Sequence, residues 1–88
     1  MNLVYKKSFA RDLRQIQDKA LLNRLREVMQ EIEAATGIQD LTGLKKLSRE
    51  SAHYRLRLGD YRLGLIIEAD TATLVRILHR KDIYRYFP

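Results

Sequence analysis

Tyr54-Arg55-Leu56-Arg57-Leu58-Gly59-Asp60-Tyr61-Arg62-Leu63-Gly64-Leu65 reads as two alternating strands joined by Gly-Asp. Gly-Asp suits a two-residue hairpin loop, and a loop of that length sets the register. Leu58 then stands opposite Tyr61, Leu56 opposite Leu63 and Tyr54 opposite Leu65, which makes one face apolar throughout. The other face carries Arg55, Arg57 and Arg62, with Arg57 directly opposed to Arg62. Opposed like charges destabilise a sheet by a few tenths of a kcal/mol to about 1 kcal/mol. A chain tolerates this most readily where a polyanion is expected, so the arginine face reads as a binding face.

Composition agrees with that reading. The 88 residues suffice for a single domain, residues 1–88, with one modest core. A hydrophobic content of 45% excludes disorder, and no apolar run approaches the ~18 residues of a membrane span. Met1 leads straight into Asn2-Leu3-Val4-Tyr5-Lys6, with no secretory signal. Cysteine is absent, which rules out a disulfide and thiolate chemistry and fits a cytoplasmic protein. The net charge of +6 is unevenly spread: residues 1–43 hold 7 Lys/Arg against 6 Asp/Glu, and residues 44–88 hold 10 against 5. A basic half of this kind points to nucleic acid or another acidic partner.

Working outward, Asn2–Lys6 is expected to be a short first strand. Ser8 is expected to cap a helix with apolar positions Phe9, Leu13, Ile16 and Ala20. Asp18 is expected to start a second helix, with the stripe Leu21, Leu22, Leu25, Val28, Met29 and Ile32. Thr36-Gly37 would end it, Gly37 serving as a left-handed cap. The short link between the helices implies an antiparallel hairpin. Their polar faces mix signs (Arg11, Asp12, Arg14, Arg24, Arg26, Glu27, Glu31, Glu33) and read as solvated scaffold. Ile38–Gly43 is a turn-rich connection, Lys45-Lys46-Leu47 starts a further strand, and Ser48–His53 is loop. After the hairpin, a three-residue loop (Ala69–Thr71) leads into a last strand, Thr73–His79. Ile67 would then pair with Thr73 and Leu65 with Val75. Val75 and Ile77 would join the apolar face, and Arg76 and Arg80 the arginine face. The expected fold is α+β, in the order β-α-α-β-β-β, with the helix hairpin on one face of a mostly antiparallel twisted sheet and a short C-terminal tail.

That element order, with Tyr-Arg-Leu-Arg-Leu, Asp-Tyr-Arg-Leu and a closing His-Arg-Lys-Asp-Ile-Tyr-Arg, resembles the RelE/ParE superfamily of bacterial toxins over essentially the whole chain. These are the toxic partners of type II toxin–antitoxin pairs. The resemblance to the RelE branch implies a ribosome-dependent endoribonuclease (an mRNA interferase), whereas the ParE branch poisons DNA gyrase and typically lacks the basic catalytic set. Carried over by position, the two basic residues of the first hairpin strand are Arg55 and Arg57. The arginine of the next strand is Arg62, that at the end of the last strand is Arg80, and the near-terminal tyrosine is Tyr84. One departure matters. The hairpin positions are lysines in the best-known RelE pattern, one of them a candidate general base. Both are arginine here, and an arginine stays protonated at neutral pH. The tail also spaces Arg80 and Tyr84 slightly closer than that pattern.

Metal-free RNA cleavage uses the substrate's own 2′-hydroxyl as nucleophile. The protein then supplies alignment, charge stabilisation of the phosphorane and proton transfer. Arg57, Arg62 and Arg80 are expected to clamp the phosphate, and Arg55 to hold neighbouring backbone. Tyr84 would stack on a base or accept a proton. Arg76, Lys45, Lys46 and Lys81 would add RNA contacts. His79 is the nearby group that ordinarily titrates close to neutrality. Strand alternation turns it away from Arg80, so a hydrogen-bonded structural histidine is the preferred reading and an acid/base role the alternative. His53 reads as a loop residue, Tyr54 and Tyr61 as core, and Tyr86 and Phe87 as packing the tail onto the sheet.

Two histidines without cysteine or a carboxylate cluster make no zinc site. No glycine-rich phosphate loop precedes either helix, and Ser8, Ser48 and Ser51 lack triad partners, so no cofactor or metal is expected. Expected partners are a cognate RelB-like antitoxin, the ribosome and mRNA, and not a membrane. Two other readings carry different expectations: a ParE-like gyrase inhibitor, or a non-catalytic RNA- or protein-binding module of the same fold.

Overall fold

A computed structural model describes residues 1–88. Strand β1 (Asn2–Tyr5) leads into helices α1 (Lys7–Arg14) and α2 (Lys19–Ala34), and a 3-10 turn (Ile38–Asp40) follows. Strands β2 (Leu44–Lys46), β3 (His53–Leu58), β4 (Tyr61–Glu68) and β5 (Thr71–His79) come next, and helix α3 (Arg80–Tyr86) closes the chain. One five-stranded sheet has the order β1-β5-β4-β3-β2. β1 runs parallel to β5 and every other pairing is antiparallel. The α+β class and the leading β-α-α order are those the sequence implies, but four strands rather than three follow the helices and the tail is helical.

The hairpin has the register its turn dictates. Leu58 pairs with Tyr61, Arg57 with Arg62, Leu56 with Leu63 and Tyr54 with Leu65. Gly59 takes φ +60 in the turn, a conformation glycine adopts without a Cβ penalty. Leu56, Leu58, Leu63 and Leu65 are each at most 3% exposed. Leu21, Leu25, Val28 and Ile32 of α2 join them in one core cluster with Phe9 and Ile16. Burying each such side chain contributes about 1.5–3 kcal/mol. Asp18 caps α2 as expected, its carboxylate accepting from the Ala20 and Leu21 amides.

Several local expectations give way to tertiary demands. Ser8 does not cap α1: Lys6 stands at the N-cap without a side-chain bond. The Ser8 hydroxyl instead donates to the Val75 carbonyl (2.6 Å). β1 pairs only as far as Leu74, so the border of β5 beyond it needs partners from α1. α1 ends at Arg14, and Ala20 lies exposed in the first turn of α2. Gly37 is extended rather than left-handed (φ −173), and α2 ends at Ala34 because buried Ala35 continues as extended chain. β2 starts at Leu44, one residue early, and His53 belongs to β3, not to the loop.

β5 also departs from expectation. It starts at Thr71, and only Ala69 and Asp70 form the turn. Leu65 therefore pairs with Leu74 and Ile67 with Ala72. The register then shifts between Gly64 and Leu65, so that Gly64 pairs with Arg76 and Leu63 with Ile77. Val75 is the extra residue of this bulge. Ala72, Leu74 and Ile77 are buried, and Val75 is not a member of the core.

The C-terminal tail is a helix. The His79 side chain caps it, Nδ1 accepting from the Lys81 amide (3.1 Å). Ile83 and Phe87, four residues apart, are buried at 0% and 3% exposure. The Phe87 ring occupies the space above Gly64, 2.7 Å from where a Cβ would stand. Gly64 pairs with Arg55, so α3 and Phe87 cover part of the face that carries the arginines. Ala69 holds φ +53, a conformation that costs a non-glycine residue about 1 kcal/mol or more. Ala69→Gly is expected to raise stability by a few tenths to about 1 kcal/mol, strain relief outweighing the added freedom of the unfolded chain. Urea denaturation midpoints measure it, and an unchanged or lower midpoint contradicts the strained turn.

Candidate nucleic-acid interface

Alternation along three neighbouring strands gathers the cations. Lys45 pairs with Arg55 across β2 and β3, and Arg57 with Arg62 across β3 and β4. With Gly43 and Tyr84 they line a depression of ≈ 230 Å³. Its lining holds four cationic side chains and no carboxylate or imidazole. Such a surface attracts a phosphate and offers nothing that would hold a divalent cation.

The members are held differently. Arg57 is exposed, and the ion pairs of the fold, made by Arg24, Arg76 and Arg80, leave it free. Arg62 is anchored: its Nη1 donates to the carbonyls of Gly59 (2.7 Å) and Tyr61 (2.8 Å). Nε and Nη2 keep their donors for a ligand. The Arg55 guanidinium lies over the Tyr84 ring at 4.4 Å, a cation–π contact. Tyr84 remains 70% exposed. Arg55 and Tyr84 also wall a second depression of ≈ 300 Å³ with Leu47, Ser48, Ser51, Phe87 and Pro88. One hollow is cationic and its neighbour is partly apolar, with a guanidinium–aromatic partition between them.

Arg80 and Arg76 do not line the cationic hollow. Arg80 begins α3 next to the hairpin turn, its amide donating to the Asp60 carbonyl (2.7 Å). Its guanidinium stands 4.0 Å from the Asp60 carboxylate, with both side chains more than half exposed. A pair of that kind contributes about 0–1 kcal/mol and exchanges readily for another anion. Arg62 and Arg80 are thus tied to consecutive residues of one turn. Arg76 lies on the arginine face, paired with Gly64 as Arg55 is. It is nevertheless engaged, making two bonds to Asp12 (Nε–Oδ2 2.7 Å, Nη2–Oδ1 2.9 Å). The Asp12 bond keeps the guanidinium more firmly protonated than usual, against the opposing effect of burial.

Asp12 is 8% exposed and also accepts from the Ile77 amide (3.1 Å), so it is not solvated scaffold. It bonds the border of β5 past the end of β1, where no strand supplies an acceptor. Among the remaining candidates, Lys46 lies off the depression with its Nζ 5.9 Å from the Tyr54 ring, and Lys81 is exposed on α3. His79 packs edge-on against Tyr61 (5.6 Å) as well as capping α3, which matches the structural reading. It also lines a larger hollow of ≈ 330 Å³ with Asp18, Arg24 and Asp60, whose mixed charges do not converge on an anion. Sequence reasoning missed Asp12 and Gly64. Gly64 carried a signal, since glycine inside a strand marks a close approach. Asp12 carried none.

The ParE toxin family of the type II toxin–antitoxin system parDE matches residues 3–84. The chain is 34% identical to Toxin RelE3 of Methanocaldococcus jannaschii over an alignment of 89 positions that covers all of both chains. A crystal structure of a RelB–RelE antitoxin–toxin complex from Methanococcus jannaschii superposes with a TM-score of 0.81 at 30% identity, over 97% of this chain and 99% of that one. The archaeal RelE–RelB complex from Pyrococcus horikoshii shares the fold, with a TM-score of 0.70 at 20% identity over 90% and 93% of the two chains.

The Asp12–Arg76 pair yields a stability test. Asp12→Ala strands a guanidinium that is 21% exposed and a buried amide, and is expected to cost about 2–4 kcal/mol. Adding Arg76→Ala should cost less than the two single changes summed. Additive losses on chemical denaturation would remove the coupling.

Proposed function

Because the chain belongs to the RelE/ParE superfamily of type II toxin–antitoxin toxins and is RelE-like, we propose that it is a ribosome-dependent mRNA endoribonuclease acting in the cytoplasm. The observation that carries this reading is the carboxylate-free hollow where Lys45, Arg55, Arg57 and Arg62 converge beside Tyr84.

The substrate's 2′-hydroxyl attacks the adjacent phosphorus, and the 5′-oxygen of the next nucleotide leaves. Arg57, with no intramolecular partner, and Arg62, held by the turn carbonyls, bind the non-bridging oxygens. Fixed guanidinium donors suit the added charge of the phosphorane, and one such donor is worth about 100- to 1000-fold in rate. Arg80 releases Asp60 and moves onto the leaving side. Arg55 holds flanking backbone and orients Tyr84, whose exposed ring stacks on a base lying toward the partly apolar hollow. Lys45 adds backbone contacts from within the hollow, and Lys46 and Lys81 from outside it. No arginine accepts the 2′-hydroxyl proton. Tyr84, beside the clamp, takes that proton in its phenolate form, and a water next to Arg80 protonates the departing 5′-oxygen. His79, occupied as the cap of α3, does neither.

A toxin of this kind is kept silent by a cognate antitoxin. The RelB–RelE complexes among the similar structures support a RelB-like partner. The ParE family match favours a second reading, a gyrase-directed toxin. Mapping transcript 5′ ends after induction separates the two. The nuclease produces new ends inside translated regions, and Arg57→Ala or Arg80→Ala lowers their yield about 100-fold or more while the fold persists. Intact transcripts with accumulated cleaved DNA would establish the gyrase reading instead.

A further inference from the structure

Acid and base alternate along the sequence of α1, but not on its folded surface. Lys6 and Lys7 open the helix, Arg11 and Arg14 follow Lys7 by four and seven residues, and all four are exposed. Asp12, the one acid of the helix, is turned onto Arg76 and the Ile77 amide. The ion pairs of the fold involve none of these four cations. What faces outward is a row of positive charge along one side of two helical turns.

Local stability argues against such a row. Lys7 in the first turn opposes the helix dipole, with neither a first-turn acid nor a side-chain cap to offset it, whereas Arg11 and Arg14 in the last turn are favoured by the dipole. Lys7 and Arg11 stand four apart and Arg11 and Arg14 three apart, where like charges repel. No carboxylate of the fold pairs with any of them. The row keeps its mutual repulsion unpaired, as Arg57 and Arg62 do in the hairpin.

We propose that the Lys7, Arg11 and Arg14 row, continued by Lys6, is a second polyanion surface that lies along the phosphate backbone of structured RNA. It rests on the RNA-directed function proposed above and adds a second grip. α1 packs on β5, whereas the arginine hollow is built on β2, β3, β4 and α3. The row therefore contributes affinity without chemistry. A protein partner fits less well. Phe9 and Leu13 are turned into the core, so the row has no apolar centre of the kind protein interfaces bury. Phosphate contacts need only cations at intervals, and carry no demand for sequence.

The test measures binding of a short adenine–uracil RNA duplex by fluorescence anisotropy across a potassium chloride series. In Lys7→Ala/Arg11→Ala/Arg14→Ala the slope of log K against log salt should shrink by about 2–3, with at least a roughly tenfold loss of affinity near physiological salt. Arg11→Lys/Arg14→Lys keeps the point charges and should keep the slope. The triple variant loses both the repulsion and the favourable last-turn charges, so its thermal midpoint is measured as the check that the fold persists. Should it fall, Lys7→Gln/Arg11→Gln/Arg14→Gln serves in its place. An unchanged slope overturns the proposal. So does loss of binding to poly-L-glutamate with duplex binding retained, which would assign the row to an acidic protein. Transcript cutting by the unsubstituted toxin is scored separately. Cutting with an unmoved slope sinks the second surface alone, and a moved slope without cutting sinks the nuclease alone.

Discussion

A turn of two residues allows the hairpin one register, and that constraint separates the core from the cations. Leu56, Leu58, Leu63 and Leu65 point to the helices because Gly59 and Asp60 leave no other pairing. A slip of one residue would drive Arg55, Arg57 and Arg62 beneath α2 and turn the leucines to water. Burying three unpaired guanidinium groups would exceed the whole stability of a small domain. The repulsion between Arg57 and Arg62 is minor beside that penalty, which is how the sheet keeps both.

The basic residues of the molecule divide by what already holds them. Arg76 is committed: two short bonds to a buried carboxylate make it part of the scaffold. Arg62 is half committed, fixed in place through one nitrogen with the other two unengaged. Arg80 faces Asp60 at a distance and exposure where attraction is weak. Arg57 is free. This gradient, from locked to open, distinguishes framework from binding surface better than charge does, since all four residues are arginines of neighbouring strands or their ends.

Much of this was legible in the residues because it is local. Alternation and turn length set the hairpin, and the 3.6-residue stripe with Asp18 set α2. Arg55, Arg57, Arg62 and Tyr84 do gather around one hollow. Non-local structure was not legible. A bulge changes the facing of every residue after it, and nothing at Val75 announces one. Asp12 looks like any carboxylate on a polar helix face until a strand border with an unpaired amide lies opposite. Ser8 is drawn from its cap by the neighbouring Val75 carbonyl of that border. The closing helix was hidden by brevity, since Ile83 and Phe87 offer one repeat of spacing, too little to tell a helix from a tail. Gly64 held the clue, a missing side chain where Phe87 comes to rest.

The strand order has a consequence for how a newly made chain comes together. β1, synthesised first, has β5 as its sole ladder neighbour, with Asn2 beside Thr71 and Tyr5 beside Leu74. Asp12 likewise waits for a guanidinium 64 residues downstream. α2 and the arginine hairpin can form early from contacts nearby in sequence. The N-terminal strand lacks its ladder partner, and the first helix the partner of its buried carboxylate, until the final strand emerges, so a nascent chain cut short before Thr71 lacks the means to close its interior.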